Sequence, residues 1–338
     1  MRPLTERVAV EGGDLTVHRL TRAPAGAPTV VALHSISSNA LAWVPVADAL
    51  EGRATVLAPD MRGRAESARL RSTGLADHVA DVHAVVAHFG LDRPVLAGHD
   101  MGAFVAALAA ATHPQDVGAV VLVDGGLAFP SPGSFDVDEV LHSIIGPAMD
   151  RLSMTFEDED AYLRHWRAHP ALGPHLAGPQ GAALAAYLLH DLAGPRAGMR
   201  STSSLECVRA DWADLMSDPA TLSAVHTLQC PARLLHAARG PLGQPEGLYT
   251  KVRVAAAHLP ADVLATELVS DHYGLLLDDD SVAAVAAAVL EVSARSETQL
   301  SKTQPSGAQP SGPARPAPAV VPPSGRGIHT PVKSRHVM

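Results

Sequence analysis

Short apolar runs alternate with longer segments of helical periodicity along most of the chain. Runs rich in valine, leucine and alanine are typical of buried strands, and their alternation with helices favours a mostly parallel sheet covered by helices on both faces. The pattern predicts eight strands, at about 7–10, 15–19, 29–33, 55–58, 95–97, 119–123, 232–236 and 265–269. It predicts helices that include 75–89, 103–112 and 280–292. The last has an acidic start, which suits a helix N-terminus.

The pattern changes between residues 126 and 228. Strand-like runs disappear there, and helical segments such as 160–169 and 182–191 take over. An insertion of this length between two strands of a sheet predicts a helical cap over an active site. We therefore predict a core of 1–127 and 228–295, a cap of 128–227 and a tail of 296–338. The tail is rich in Pro, Ser, Gly and Gln, a composition that predicts disorder.

Composition and charge limit the classes of function. Hydrophobic residues make up 47% of the 338 residues, enough for a sizeable core, and the net charge of −9 argues against nucleic acid as the main partner. The two cysteines, Cys207 and Cys230, do not form a disulfide framework and fit a reducing cytoplasm. The first residues lack the apolar core of a signal peptide, and no run of about 18 apolar residues predicts a membrane span. We therefore expect a cytoplasmic protein.

The end of the fifth predicted strand carries the clearest chemical signal. The chain reads Gly98-His99-Asp100-Met101-Gly102 there and opens a helix of small residues, which is the strand, sharp turn and helix of a nucleophile elbow. Aspartate stands where serine is usual. A carboxylate nucleophile attacks a saturated carbon that carries a leaving group, and this forms an alkyl ester of the enzyme. An acidic residue at a strained elbow is an awkward choice for a purely structural role.

Four landmarks follow one another in a meaningful order. They are His34-Ser35-Ile36-Ser37-Ser38-Asn39, Pro59-Asp60-Met61-Arg62-Gly63-Arg64-Ala65-Glu66-Ser67, the elbow at Asp100, and Ser270-Asp271-His272-Tyr273-Gly274. Together they make residues 1–295 resemble the α/β-hydrolase superfamily. The elbow, with Ala103 after its last glycine, is similar to the GHDWGA of many epoxide hydrolases, so the resemblance is closest to the aspartate-nucleophile branch. It implies an α/β-hydrolase fold with an eight-stranded, mostly parallel sheet and a helical cap.

The resemblance implies a catalytic triad. Asp100 is its nucleophile, and His272 is the general base that activates water to hydrolyse the aspartyl ester. The acid that orients His272 usually follows the seventh strand, where this chain offers only the late Glu246. Asp124, at the end of the sixth strand, is favoured instead because some haloalkane dehalogenases place their acid there. Glu246 remains the alternative acid, and Asp124 could also serve only to tie down its Gly-Gly loop.

The resemblance further implies an oxyanion hole formed by the backbone N–H groups of Ile36 and Met101. The family pattern at the first loop is often His-Gly-x-Pro, and Ser35 departs from it. We count His34 among the residues that face the substrate, although a structural role is favoured over a catalytic one.

The predicted cap contains donors for the ring oxygen of an epoxide. Related epoxide hydrolases use two cap tyrosines, and the candidates here are Tyr187, Tyr162, Trp166 and Trp212. Aromatic residues at helical spacing are also ordinary core residues. Haloalkane dehalogenases hold halide with a tryptophan directly after the nucleophile, where this chain has Met101. Epoxide hydrolysis is therefore favoured over dehalogenation.

We predict an epoxide hydrolase that converts an apolar or aromatic epoxide and water to a vicinal diol, without a metal or organic cofactor. A natural-product epoxide of secondary metabolism is one plausible substrate. Three alternatives stay open: a haloalkane dehalogenase, an esterase or lactonase in which Asp100 acts as a base, and a non-catalytic binding member of the fold. The sequence leaves open whether the protein is a monomer or a homodimer.

Overall fold

The computed structural model describes residues 4–128 and 146–303. Its strands are β1 (Leu4–Val10), β2 (Gly13–Thr21), β3 (Thr29–Leu33), β4 (Thr55–Pro59), β5 (Val95–His99), β6 (Ala119–Val123), β7 (Leu192–Ala193), β8 (Arg200–Ser201), β9 (Ala232–Arg239) and β10 (Val263–Asp271). Eight of them form one sheet in the order β1-β2-β4-β3-β5-β6-β9-β10. Strand β2 is antiparallel to β1 and β4, and the pairs from β4 to β10 are parallel. The predicted fold class is confirmed.

Helices lie on both faces of the sheet and in the segment predicted as a cap, 128–227, which is called the cap below. They are α1 (Val44–Ala49), α2 (Leu75–His88), α3 (Met101–Thr112), α4 (Pro147–Asp150), α5 (Glu159–Arg167), α6 (Leu172–Ala177), α7 (Gly181–His190), α8 (Leu205–Ser217), α9 (Pro219–Ser223), α10 (Lys251–Ala256) and α11 (Asp279–Thr303). Helices α4 to α9 lie in the segment predicted as the cap.

Alternate residues of the central strands face two separate cores. In β3, Val31 and Leu33 pack with the helices α2 and α3, whereas Val30 and Ala32 pack with α1 and α11. Both faces of the sheet are therefore apolar. This explains why the strands read as continuous apolar runs in the sequence rather than as an alternation of apolar and polar residues.

The structure differs from the predicted organisation at two places. Helix α11 continues to Thr303, past the predicted core boundary at 295, so residues 296–303 are helical rather than part of a disordered tail. Ser296 is 7% exposed, which shows that the packed face of the helix extends beyond that boundary. The cap also contains the short antiparallel pair β7–β8, where no strand was predicted. The rest of the tail, 304–338, and residues 129–145 of the cap lie outside the described residues.

Within residues 4–128 and 146–303, no helix is both long enough and apolar enough to cross a bilayer.

Candidate active site

Asp100 occupies a strained turn between β5 and α3. Its φ of 53° and ψ of −119° lie in a region that residues with a side chain rarely adopt. The turn is tight on both sides. A Cβ at Gly98 would lie 2.1 Å from the carbonyl oxygen of Gly102, and one at Gly102 would lie 2.2 Å from that of Leu33. Glycine is therefore required at both positions, and the geometry is that of a nucleophile elbow.

The two carboxylate oxygens of Asp100 have different surroundings. Oδ2 accepts hydrogen bonds from the Ser35 hydroxyl at 2.7 Å and from the Ile36 N–H at 3.1 Å. Oδ1 has no hydrogen-bond partner among the described residues. Oδ2 is thus anchored in the predicted oxyanion hole, and Oδ1 is available for attack.

The two donors to Oδ2 only partly match the predicted pair. Ile36 contributes its N–H as predicted, but no hydrogen bond joins the Met101 N–H to the Asp100 carboxylate in the described part of the chain. The second donor is the Ser35 hydroxyl, which the sequence did not single out as a functional group. The signal was present, because Ser35 stands where the family pattern often has glycine.

His272 is paired with Asp124. The Nδ1–H of His272 donates to Oδ2 of Asp124 at 2.7 Å, and both side chains are buried. This hydrogen bond leaves Nε2 of the neutral ring as a proton acceptor. Burial alone would lower the pKa of His272, but the hydrogen bond and charge of Asp124, with the charges of Asp100 and Asp271, outweigh it and raise the pKa above its usual value.

Main-chain contacts hold Asp124 in the position where it meets the histidine. Strand β6 lies between β5 and β9, and the Asp100 N–H donates to the carbonyl of Val123 at 2.9 Å. Asp124 follows directly, and its Oδ1 accepts from the Ala237 N–H at 3.0 Å. Glu246 is exposed and makes no hydrogen bond to His272.

His34 has a structural role and does not face the substrate, contrary to its inclusion among the substrate-facing residues. Its Nε2 accepts from the Met61 N–H at 2.9 Å, so its Nδ1–H donates to the Ser35 carbonyl at 2.8 Å. Both ring nitrogens are thus occupied by the main chain. Burial lowers the pKa of His34 to about 4, so the ring is neutral and holds the loop that carries Ser35.

Arg64 also holds the loop that carries Ser35 and Ile36. Its fully buried guanidinium donates from Nε to the Ile36 carbonyl at 2.9 Å and forms a 2.6 Å ion pair with Asp211 of α8. A further contact runs from Nη2 to the sulfur of Met101 at 3.9 Å. The first loop, the elbow and the cap are therefore held together by one cation.

A pocket opens next to the elbow, but Asp100 and His272 themselves do not line it. Its empty volume is about 540 Å³, which includes space open to solvent, and Ser35 and His99 line it next to the elbow. Most of its wall is aliphatic, with side chains that include Leu41, Val44, Leu172, Leu184, Leu276 and Leu277. None of the residues that line it carries an Asp, Glu, Lys or Arg side chain. Such a pocket favours uncharged, apolar ligands.

Two tyrosines add hydroxyl groups to this pocket. Tyr187, one of the predicted donors, is 2.9 Å from the Ser38 hydroxyl, and its main-chain carbonyl accepts from Asn39 at 3.0 Å. Tyr273 lines the pocket as well, with its ring centroid 5.1 Å from that of His272, and its hydroxyl has no partner among the described residues. Burial raises the pKa of both tyrosines, so both remain protonated donors at neutral pH. Tyr273 was missed, although it directly follows the predicted base.

The other three predicted donors do not line the pocket. The Tyr162 hydroxyl donates to Asp191 at 2.7 Å and accepts from Nε of Arg151 at 3.2 Å. Trp166 packs against the same guanidinium, 5.2 Å from its carbon to the ring centroid. Trp212 is buried on α8 in the hydrophobic core. These aromatic side chains stabilise the cap internally, as aromatic residues at helical spacing usually do.

The sheet and the helices around it form an α/β-hydrolase fold. The family model described as the alpha/beta hydrolase fold matches residues 28–150, a segment that contains the first loop, the elbow and Asp124. The crystal structure of E-2-(acetamidomethylene)succinate hydrolase superimposes with a TM-score of 0.67 at 20% identity, covering 85% of this chain and 99% of that chain. The family model thus matches the part of the chain that carries the elbow, and the structural likeness shows the α/β-hydrolase fold.

Similarity to individual proteins covers smaller parts of the chain. An uncharacterized protein of Mycobacterium tuberculosis is 30% identical over 115 residues, 33% of this chain and 34% of that protein. N-formylmaleamate deformylase of Pseudomonas putida is 31% identical over 156 residues, 43% of this chain and 58% of the enzyme. Epoxide hydrolase 4 of Mus musculus is 27% identical over 131 residues, 38% of this chain and 35% of the enzyme. The chain spans about a third of the length of the mycobacterial relative that it matches.

Proposed function

We propose that this protein is a hydrolase that opens an apolar or aromatic epoxide to a vicinal diol through an ester on Asp100. The observation that carries the proposal is the unequal environment of the Asp100 carboxylate. Oδ2 is held by Ser35 and Ile36, whereas Oδ1 is free of hydrogen bonds in the described structure. A carboxylate that only tied down a loop would be expected to use both oxygens, whereas a nucleophile needs one of them unengaged.

In the first half-reaction, Oδ1 of Asp100 attacks a carbon of the epoxide ring. A C–O ester bond forms, the ring C–O bond breaks, and the ring oxygen takes a proton from a tyrosine of the pocket. Tyr187 and Tyr273 are the groups that can supply it, since both line the pocket and both stay protonated at neutral pH. A positioned donor of this kind lowers the barrier by neutralising the developing alkoxide.

In the second half-reaction, neutral His272 takes a proton from water through Nε2, and the resulting hydroxide adds to the ester carbon. Oδ2 then carries the negative charge of the tetrahedral intermediate, and the Ser35 hydroxyl and Ile36 N–H already point at it. The bond between the Asp100 carboxyl carbon and Oδ1 breaks, and the departing alkoxide takes the proton of the hydroxyl group that water has added. The diol leaves with Oδ1, and Asp100 is again an ionised carboxylate that contains the oxygen of water. The imidazolium proton returns to the tyrosinate, so that epoxide and water are consumed and the protein is restored.

The pocket wall supports the substrate class. Its lining is mostly aliphatic and carries no charged side chain, and His99 beside it has a pKa well below the usual value because it is buried. An uncharged epoxide with an aryl or alkyl substituent fits such a wall without burying an unpaired charge. Dehalogenation is a poorer match, because the side chain after the nucleophile is Met101, which offers no N–H donor to a halide.

Acyl hydrolysis is the second candidate, and one contact favours it. The Ser35 hydroxyl donates to Asp100 at 2.7 Å, so Asp100 could act as a base on a serine nucleophile from the first loop. The similarity to a deformylase points the same way. A carboxylate is a weak base for a hydroxyl, since their ordinary pKa values are far apart. We therefore place this candidate second.

A single-turnover experiment with the His272→Ala variant tests the proposal. The variant is mixed with panels of aryl epoxides, haloalkanes and p-nitrophenyl esters, and the peptides are then analysed by mass spectrometry. We expect an epoxide mass on the peptide that contains Asp100, because the ester forms but is not hydrolysed. The double variant Asp100→Ala, His272→Ala is the matched control and should carry no adduct.

Each other outcome points to a different chemistry. An adduct formed only with haloalkanes would assign the protein to dehalogenation. An adduct on the peptide that contains Ser35, formed with the esters, would favour acyl hydrolysis. The absence of any adduct would contradict the aspartyl-ester mechanism.

A further inference from the structure

A second cluster of chemistry-bearing side chains lies outside the site described above. Its members are His18 on β2, Asp60 directly after β4 and His190 at the end of α7. The two histidines meet at one carboxylate oxygen of Asp60. The Nε2 atoms of His18 and His190 lie 3.0 Å and 2.9 Å from Oδ2 of Asp60. The two rings are nearly perpendicular, at 81°, so the nitrogens approach this oxygen from different directions. Within the described part of the chain, the three ligand atoms all lie within 4.8 Å of one another.

Three hydrogen-bond donors converge on Oδ2 of Asp60. The N–H of Glu66 also points at this oxygen, at 3.2 Å, while Oδ1 accepts from the N–H of Ala40 at 2.9 Å. A carboxylate offers about four acceptor sites, so Asp60 uses all of them for these contacts. Its side chain is completely buried, and the cluster is therefore closed off from bulk water.

We propose that His18, Asp60 and His190 bind a zinc ion, with water as the fourth ligand. Two imidazoles and one carboxylate are a donor set that suits this metal. In a tetrahedral site with bonds of about 2.0–2.1 Å, the ligand atoms are about 3.3 Å apart. The two nitrogen–oxygen separations, 3.0 Å and 2.9 Å, need to open by only a few tenths of an ångström, and the two Nε2 atoms lie within 4.8 Å of each other. The ion would take the lone pairs of both Nε2 atoms and of Oδ2, leaving the Glu66 N–H as the remaining donor to Oδ2.

The exposure of the three side chains suits an ion that is bound by buried groups and that enters from the solvent side. The side chain of His190 is 16% exposed, whereas those of His18 and Asp60 are 5% and 0% exposed. His18 and Asp60 are therefore closed off from solvent, and zinc would reach them past the side chain of His190. Because α7 also carries Tyr187, zinc would link that wall of the pocket to the core strand β2.

Zinc binding by the full-length, untagged chain tests the proposal. The protein is treated with EDTA, exchanged into metal-free buffer and titrated with zinc chloride by calorimetry, with magnesium chloride as a comparison. We expect one zinc per chain and no saturable binding of magnesium. The variant His190→Gln keeps an amide donor next to Asp60 but removes the imidazole. It should bind zinc at least tenfold more weakly while its melting temperature in EDTA stays close to that of the wild type.

A matched control and a spectroscopic measurement complete the test. His226→Ala removes an exposed histidine outside the cluster and should leave the zinc affinity unchanged. Cobalt(II) should give the intense visible bands of tetrahedral coordination in the wild type, whether or not a variant folds. The proposal is overturned if the wild type shows no stoichiometric zinc binding, if His190→Gln binds zinc as well as the wild type, or if the cobalt spectrum is octahedral. This readout does not depend on the proposed hydrolase activity.

Discussion

The core and the cap place their functional groups in different ways. In the core, Asp100, Asp124 and His272 follow β5, β6 and β10 at the same edge of one sheet, where β9 separates β6 from β10. In the cap, the positions of Tyr162 and Tyr187 depend on which side chains each one meets. The Tyr162 hydroxyl contacts Asp191 and Arg151, whereas Tyr187 lines the pocket with its hydroxyl 2.9 Å from that of Ser38.

This difference indicates that the core positions the groups proposed for catalysis, whereas the cap positions the groups proposed to contact the substrate. The core groups are held by main-chain contacts, such as the N–H of Ala237 on Asp124 and the N–H of Ile36 on Asp100. Strand pairing fixes such contacts with little freedom. The cap groups are held by side-chain networks, whose members can be exchanged without disturbing the sheet. Mutations in the core should therefore change the chemical step, and mutations in the cap should separate binding from stability.

The largest effect is expected for Asp124→Asn. Loss of this carboxylate removes the partner that orients His272 and stabilises its protonated form, so turnover should fall about 10³- to 10⁴-fold. His272 must be neutral to accept a proton from water. Since its pKa is raised in the wild type, activity should decline as pH falls through a value above 6.5. The measurement is a pH–rate profile of the steady-state rate.

The profile also shows whether the core pairing is correct. In Asp124→Asn, the acid limb of the profile should move to lower pH, because the main group that raises the pKa of His272 is gone. Glu246→Gln is the matched control and should resemble the wild type. If Glu246→Gln loses most of the activity while Asp124→Asn keeps it, the pairing of His272 with Asp124 is not the functional one.

An intermediate effect is expected for Ser35→Ala. This change removes one of two donors to Oδ2 of Asp100, and loss of an oxyanion donor costs about 10²-fold or more. Rapid-quench kinetics should show that hydrolysis of the ester is slowed more than its formation. Ser37→Ala, on the same loop, should have little effect. Complete loss of activity in Ser35→Ala without any ester on Asp100 would instead support the serine mechanism.

The smallest effects are expected for two cap variants compared with each other. Tyr187→Phe removes a hydroxyl from the pocket and should lower the rate of epoxide opening about tenfold to a hundredfold, with Tyr273 as the remaining donor. Tyr162→Phe breaks the contact with Asp191 and should lower the free energy of unfolding by about 1–2 kcal/mol, with kcat unchanged. Steady-state kinetics and urea unfolding of both variants separate these effects. If instead Tyr162→Phe lowers the rate and Tyr187→Phe lowers only the free energy of unfolding, Tyr162 rather than Tyr187 is the donor to the substrate.

The sequence predicted the core far better than the cap, for a physical reason. Each strand of the sheet is a short apolar run, and the order of landmarks along the chain fixes which side chains meet at the strand ends. Asp124 was favoured over Glu246 because it stands at the end of a strand, where some haloalkane dehalogenases place their acid, and it is the residue that contacts His272. The Ser35 hydroxyl was not predicted as the second donor to Oδ2 of Asp100. The sequence shows that serine stands where the family pattern often has glycine, but the direction of its hydroxyl depends on how the loop folds.

The cap donors could not be chosen from the sequence alone. The candidates Tyr162, Trp166 and Tyr187 all lie in segments of helical periodicity. Only the tertiary packing shows that Arg151 donates to the Tyr162 hydroxyl and packs on the ring of Trp166. The end of α11 was missed for a similar reason. Residues after 295 look polar, yet the helix continues because its inner face still packs, with Ser296 buried.

Transfer of oxygen from Asp100 to the product tests the central claim most directly. The wild-type enzyme, in excess over an accepted epoxide, is allowed a single turnover in water enriched in ¹⁸O. If Oδ1 attacks the epoxide, the diol should contain only ¹⁶O and the peptide with Asp100 should gain ¹⁸O. If the diol carries ¹⁸O and the Asp100 peptide stays unlabelled, water attacks the epoxide directly and the aspartyl-ester mechanism is contradicted.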